Sequence, residues 1–139
     1  MKLQFKYLLL MTKKDLSTLL AIVFWLVLGL ATILFLIPSK DLSIDVLDWS
    51  DKAQHIVAFA TLMVLGIAAY PQAISRMFVG LLIYGAAIEC IQSMTGWRSG
   101  DFLDWVADAT GVMLIRMLLI VWRRYFLERN SLNSNHLNR

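Results

Sequence analysis

From Ser17 to Ile37 the chain carries no charged side chain; Lys13 and Lys14 stand before this run and Pro38 ends it. A bilayer core about 30 Å thick needs about 20 mainly apolar residues per helix, so the run is long enough to cross one. A signal peptide is the competing reading. The run is too long for its apolar part, and no small-residue cleavage site follows Leu36-Ile37-Pro38. The segment is expected to be a retained membrane helix. Composition agrees: the 139 residues are 59% hydrophobic and 17% charged. A small soluble domain keeps too much of its surface wet to bury that much apolar area.

Three further runs have the same character. One extends from about Asp51 to Tyr70, with Ser50 placed to cap its start and Pro71 closing it. The next extends from about Ser75 to Met94, with Gly96 following, and the last from about Phe102 to Trp122, ahead of Arg123 and Arg124. The expected fold is all-α, an integral membrane bundle of four transmembrane helices, in one domain over residues 1–129. The polar, Asn-rich stretch 130–139 is expected to be a disordered tail. No internal repeat or low-complexity tract is present.

Lysine and arginine set the expected orientation. Lys2, Lys6, Lys13 and Lys14, then Arg76, then Arg123, Arg124, Arg129 and Arg139 fall on one side of a four-span protein. The opposite side has Lys40 among Asp41, Asp45 and Asp48, and later only Arg98. Both termini are therefore expected on the cytoplasmic side of the inner membrane. Aromatic side chains fit this frame: Trp49, Trp97 and Trp105 lie near the outer boundary, Tyr70, Trp122 and Tyr125 near the inner one. The loop 38–50, with Leu42, Ile44, Val46, Leu47 and Trp49 among its acids, is expected to lie along the membrane surface.

The net charge of +3 could suggest nucleic acid, but the basic residues sit at helix ends, so no nucleic-acid partner is expected. Membrane lipids are the expected neighbours, and the oligomeric state is left open. The single cysteine, Cys90, has no intramolecular partner and reads as a small packing residue.

The polar residues inside the spans carry the functional information, since ionisable groups there are costly and normally face protein or a wet cavity. They collect at one end. Asp51, Lys52, Gln54 and His55 open the second span, Glu89 and Gln92 lie near the end of the third, Arg98 and Asp101 lie in the outer loop, and Asp104 and Asp108 sit early in the fourth. Lys52 and His55 are three apart, as are Glu89 and Gln92, so each pair shares a helix face. Asp101, Asp104 and Asp108, with Gly111 beyond, form one stripe. Five acids against Lys52 and Arg98 give this group a formal charge of −3 with His55 neutral. It should protonate in part, bind a cation or hydrate a cavity.

Plain readings compete. Glu89, Arg98 and Lys52 would serve as ion pairs pinning three spans together, and Asp51 and Asp104 as favourable charges at helix starts; Asp108 lies too deep for that. Arg116 would snorkel toward the inner face, Phe24 and Trp25 would meet lipid or packing partners, and Ala107-x-x-x-Gly111 would permit close helix approach. In the functional reading Glu89 or Asp108 acts as general acid or base with His55 as proton partner. Lys52, Gln92, Arg98, Asp101 and Asp104 contact a ligand. His55 could combine with Glu89 and Asp104 around a metal, but no His-x-x-x-His or cysteine pair supports one; no metal and no cofactor are expected. No serine or cysteine nucleophile stands beside a base at useful spacing, which favours activated water over an acyl-enzyme.

The series Asp51-Lys52-x-x-His55, Glu89-x-x-Gln92, Arg98, Asp101 or Asp104, and Asp108-x-x-Gly111 resembles the VanZ-like family of bacterial membrane proteins. The resemblance covers Asp51 to Gly111, a little under half the chain. One departure stands out: the family usually has Asn where this chain has Asp108, and an Asp must be protonated to replace the amide as a donor. The resemblance implies a cell-envelope setting, glycopeptide resistance or exopolysaccharide production, with a lipid-linked sugar or peptidoglycan precursor as partner. It implies no particular reaction.

Overall fold

The computed structural model describes residues 13–38, 51–96 and 100–137, with side chains described as far as residue 129. Among them, all regular structure is helical: α1 (Lys13–Leu36), α2 (Asp51–Ala69), α3 (Ile74–Thr95) and α4 (Phe102–Leu137). Each is long and apolar enough to cross a membrane. The 23-residue span of α1 and the 19 residues of α2 correspond to about 35 and 28 Å at 1.5 Å per residue, matching the thickness of a hydrocarbon core. The protein is a multi-pass membrane protein. Ser50, the loop 39–50, Trp49, Trp97, Arg98 and the basic residues before Lys13 lie outside the described residues.

The helix ends have local causes. Pro71 stops α2, because it lacks an N–H and disfavours helix in the residue before it. The chain then turns tightly, with the Ala73 N–H donating to the Tyr70 carbonyl at 2.9 Å. Gly96 closes α3 in the left-handed conformation, φ 75°, which glycine adopts without steric cost. Asp101 caps α4: its Oδ1 accepts from the Leu103 N–H at 2.9 Å and its carbonyl accepts from the Asp104 N–H at 2.9 Å. At the other end α4 departs from the sequence expectation. Its backbone stays helical to Leu137, through the stretch expected to be a disordered tail. No glycine or proline follows Gly111 to interrupt it.

Helix α2 is the centre of the bundle, packed most extensively on α4 and also on α1 and α3, whereas α1 and α4 do not meet. Phe24 and Phe35 of α1, Phe59, Leu62 and Met63 of α2, Leu81 and Ile88 of α3 and Val112 of α4 form the core. The α2–α4 crossing depends on Gly111, where a Cβ would collide with the Ile56 carbonyl and stand 3.0 Å from the Ala60 nitrogen. Ala107, one turn earlier, is also buried. The small-residue spacing thus serves an approach within the chain. Leu26, Leu30, Ile83, Met113 and Leu118 point outward and are exposed, as lipid-facing side chains must be.

Lipid supplies no hydrophobic force between helices, so packing and interhelical hydrogen bonds hold them. Thr32 and Tyr84 share one at 2.8 Å, and Trp105 Nε1 donates to the Leu82 carbonyl at 3.0 Å. Trp25, exposed on its outer face, donates to the Tyr70 hydroxyl at 3.0 Å. Arg116 lies with its guanidinium carbon 4.8 Å from the centre of the Phe78 ring, a cation–π contact that holds the charge beside α3. The end of α1, the start of α2, the end of α3 and the start of α4 all meet at one end of the bundle, and the polar cluster lies there.

Candidate functional site

His55 stands one turn into α2, about 6 Å from Asp51 along the axis. Asp108 is six residues into α4, and Glu89 is six residues before the end of α3, each about 9 Å deep. Three helices therefore converge on one level. His55 Nδ1 and Asp108 Oδ1 are 2.8 Å apart, and Glu89 Oε1 lies 3.9 Å from the same nitrogen. The His55 and Asp108 side chains are fully buried and that of Glu89 is 9% exposed.

The surroundings fix each member. The His55 ring stacks on Phe35, centroids 4.4 Å apart and planes 27° apart. Glu89 Oε2 accepts from the Asp101 backbone N–H at 2.9 Å, one of the donors that a helix start leaves without an intrahelical partner. The loop at Gly100 passes so close to α3 that a Cβ there would strike the Glu89 carbonyl. At Gly85, one turn before Glu89, a Cβ would stand 2.6 Å from Asp108 Oδ2, so this glycine makes room for the carboxylate.

An outer tier covers the triad. Lys52 Nζ bridges Asp104 at 2.7 Å and Asp101 at 3.0 Å. Asp104 is buried, while Lys52 and Asp101 are half-exposed. The Asp101 carboxyl is held below its ordinary range, first by the Leu103 N–H and then by Lys52. Asp51, at the start of α2, completes a second group with His55 and Asp104. Gln92 does something different: its amide donates to the Phe35 carbonyl at 2.8 Å in a buried position. That carbonyl belongs to the last turn of α1, where acceptors lack helical donors.

The structure thus brings together seven of the eight residues singled out in the sequence; Arg98, the eighth, lies outside the described residues. Their roles separate. His55, Glu89 and Asp108 form a buried triad, Lys52, Asp101 and Asp104 a charged tier above it, and Gln92 a strut to α1. The Lys52 ammonium bonds Asp101 and Asp104, a pairing different from the expected link to Glu89. Phe35 and Gly85 were missed, since nothing in their local sequence signals a partner as distant along the chain as His55 or Asp108. The capping role of Asp101 could have been found, because an Asp just before an apolar helical run is a common helix start.

Among the described residues four buried side-chain atoms have no hydrogen-bond partner: His55 Nε2, Glu89 Oε1 and Asp108 Oδ2 in this cluster, and Arg116 Nη1 beside Phe78. Buried polar atoms in natural proteins nearly always bond to protein, ordered water or an ion. The His55–Asp108 pair can hold one proton between nitrogen and oxygen, so Asp108 need not be a donor to bond its neighbour. Glu89, tethered by one oxygen, presents the other to the pair. The fold and the cluster define a class: a multi-pass α-helical membrane protein with an acid–histidine site embedded at one end of its bundle. Comparison with family models, with curated proteins and with solved structures gave no match.

Proposed function

We propose that this chain is a VanZ-like protein of the bacterial cell envelope that receives the polar head of a lipid-linked sugar or peptidoglycan precursor at the embedded cluster. The observation that carries this reading is that two buried carboxylates beside His55, Glu89 and Asp108, each keep one oxygen without a hydrogen-bond partner, close to the helix ends. Hydroxyl and amide groups of a sugar or peptide head are the partners such atoms lack. The order and spacing of Lys52, His55, Glu89, Gln92 and Asp108 support the family part of the proposal. The Lys/Arg bias supports an orientation with the cluster at the outer face and both termini in the cytoplasm. Lys52 spends two of its three N–H donors on Asp101 and Asp104, which leaves one for a phosphate oxygen.

The test is a melting experiment on the detergent-purified protein with a lipid-linked sugar. A ligand that binds only the folded protein stabilises it by about 2.7 kcal/mol at a hundredfold excess over Kd. Wild type should melt higher with the lipid, and Glu89→Gln should lose the shift. Wild type that does not respond to lipid-linked sugars or peptidoglycan precursors would refute the proposal.

A second reading rests on the 2.8 Å contact between His55 and Asp108. A histidine oriented by a buried carboxylate is suited to take a proton from water, and Glu89 would supply or receive the second proton. The chemistry would be hydrolysis or transfer on the same precursor. Release of phosphate or sugar phosphate by wild type and its loss in His55→Gln would support it; a bound but unchanged precursor would exclude it.

A further inference from the structure

We propose that His55, Glu89 and Asp108 bind one divalent transition-metal ion, with zinc the best fit. The donors are one imidazole and two carboxylates, drawn from α2, α3 and α4, and their ligand atoms lie within 4.8 Å of one another. Zinc bonds nitrogen and oxygen at about 2.0–2.2 Å in tetrahedral geometry, which places neighbouring donors about 3.3–3.5 Å apart. The separations of 2.8 Å from Nδ1 to Asp108 Oδ1 and 3.9 Å from Nδ1 to Glu89 Oε1 fall on either side of that value. Shifts of about half an ångström in side chains would meet it.

Burial gives the second argument. A shared proton accounts for the His55–Asp108 contact but leaves Glu89 Oε1 and Asp108 Oδ2 without partners. Both side chains are at least nine-tenths enclosed, where an unpaired carboxylate oxygen is expensive. A cation between Nδ1, Asp108 Oδ1 and Glu89 Oε1 gives the Glu89 oxygen a partner and neutralises the Asp108 carboxylate. Two carboxylates and a neutral imidazole carry a formal charge of −2, which a divalent ion cancels. Lys52 is already shared between Asp101 and Asp104.

Two contacts hold the ligands in orientation, as outer contacts do in metal sites, while the second ring nitrogen, His55 Nε2, has no hydrogen-bond partner. Phe35 lies against the His55 ring, and the Asp101 N–H fixes Glu89 Oε2. Imidazole in the donor set favours zinc, copper, iron or nickel over magnesium and calcium, which prefer oxygen. The other group, Asp51, His55 and Asp104, fits less well, because Asp104 is bonded to Lys52 at 2.7 Å and Asp51 is exposed. Three protein donors leave a fourth position for water or a ligand oxygen. Spacing along the chain gave no sign of the site, since each donor comes from a different helix. With the ion bound, a precursor head meets the cluster at that fourth position rather than at the carboxylate oxygens, and the inference stands whichever precursor the protein receives.

The test uses the full chain purified in detergent without chelator. Metal content is measured directly, then the chelated protein is titrated with Co²⁺ while visible absorption and melting temperature are followed. The expected result is about one ion per chain, d–d bands of a tetrahedral site that Zn²⁺ abolishes, and a higher melting temperature with metal. Glu89→Gln and Asp108→Asn should each weaken Co²⁺ binding by more than the roughly tenfold that loss of an outer contact costs, with helical content kept by circular dichroism. A wild-type protein that binds none of Co²⁺, Zn²⁺ or Mn²⁺ and shows no thermal shift overturns the proposal. So does binding that survives Glu89→Gln but is lost in Asp51→Asn.

Discussion

Asp108 illustrates how one residue can look out of place in a sequence and in place in a fold. It is completely buried, its Oδ1 lies 2.8 Å from His55 Nδ1, and Gly85 leaves room beside its Oδ2. An amide could make the same contact, accepting from or donating to the imidazole. In metal-free protein Asp108→Asn should therefore melt close to wild type, whereas Asp108→Ala should lose about 1–3 kcal/mol by stranding a buried ring nitrogen; chemical denaturation in a chelating buffer checks both. Asp101 gives a pH prediction. Its carboxyl is depressed by the Leu103 N–H and Lys52, so its charged form is favoured in the folded state. That stabilisation is present above the ordinary aspartate range, near pH 4, and is lost as pH falls through the lower folded value. Asp101→Asn should melt lower than wild type at neutral pH, and the difference should shrink in acid. A gap that persists unchanged below pH 3 would assign Asp101 a role independent of its charge. At this scale the sequence reveals that the polar residues share one end, because steps of three and four mark helix faces. It does not reveal that Gln92 binds the Phe35 carbonyl or that Lys52 is spent on two aspartates, since those pairings depend on which helices adjoin.

Element by element, the sequence is most legible where a single physical constraint dominates. Bilayer thickness fixes helix length, so long, mainly apolar runs bounded by Lys13-Lys14, Pro38, Pro71 and Gly96 mark the spans to within a few residues. The end of α4 escapes this logic. Polar residues after Arg129 give no apolar signal, yet the backbone remains helical to Leu137. The α2–α4 crossing, which sets Asp108 against His55, provides the prediction for this scale. Gly111→Ala pushes a methyl group into the Ile56 carbonyl, and backbone yields less readily than a side chain. The cost should be about 1–3 kcal/mol, with weakened Co²⁺ binding as the helices part. Gly29→Ala in α1 is the control, as a Cβ there meets nothing within 4 Å. It should be neutral or gain up to about 1 kcal/mol from helix propensity. Equal effects at the two positions, read by thermal denaturation, would show that the close crossing is not what makes Gly111 necessary.

For the whole molecule, the bundle is organised around α2, which carries Lys52 and His55 and touches every other helix. A bundle needs only apolar faces and small-residue crossings to hold together. This one also keeps two acids and a histidine buried with bonding capacity to spare, as groups held for a ligand would be and groups serving only as struts would not. The proposed orientation, with these groups outermost, predicts that reporters fused to either terminus will both register as cytoplasmic; opposite sides would contradict the Lys/Arg reading. The central claim, that the triad is a site held ready at some cost to stability, is tested most directly by melting wild type and Glu89→Gln side by side in excess chelator. Removing bound metal ensures that only the cost of the apo cluster is compared. The account predicts that Glu89→Gln, with one buried charge fewer, melts at or above wild type. A variant that melts well below it would contradict the account and leave the triad as a strut between α2, α3 and α4.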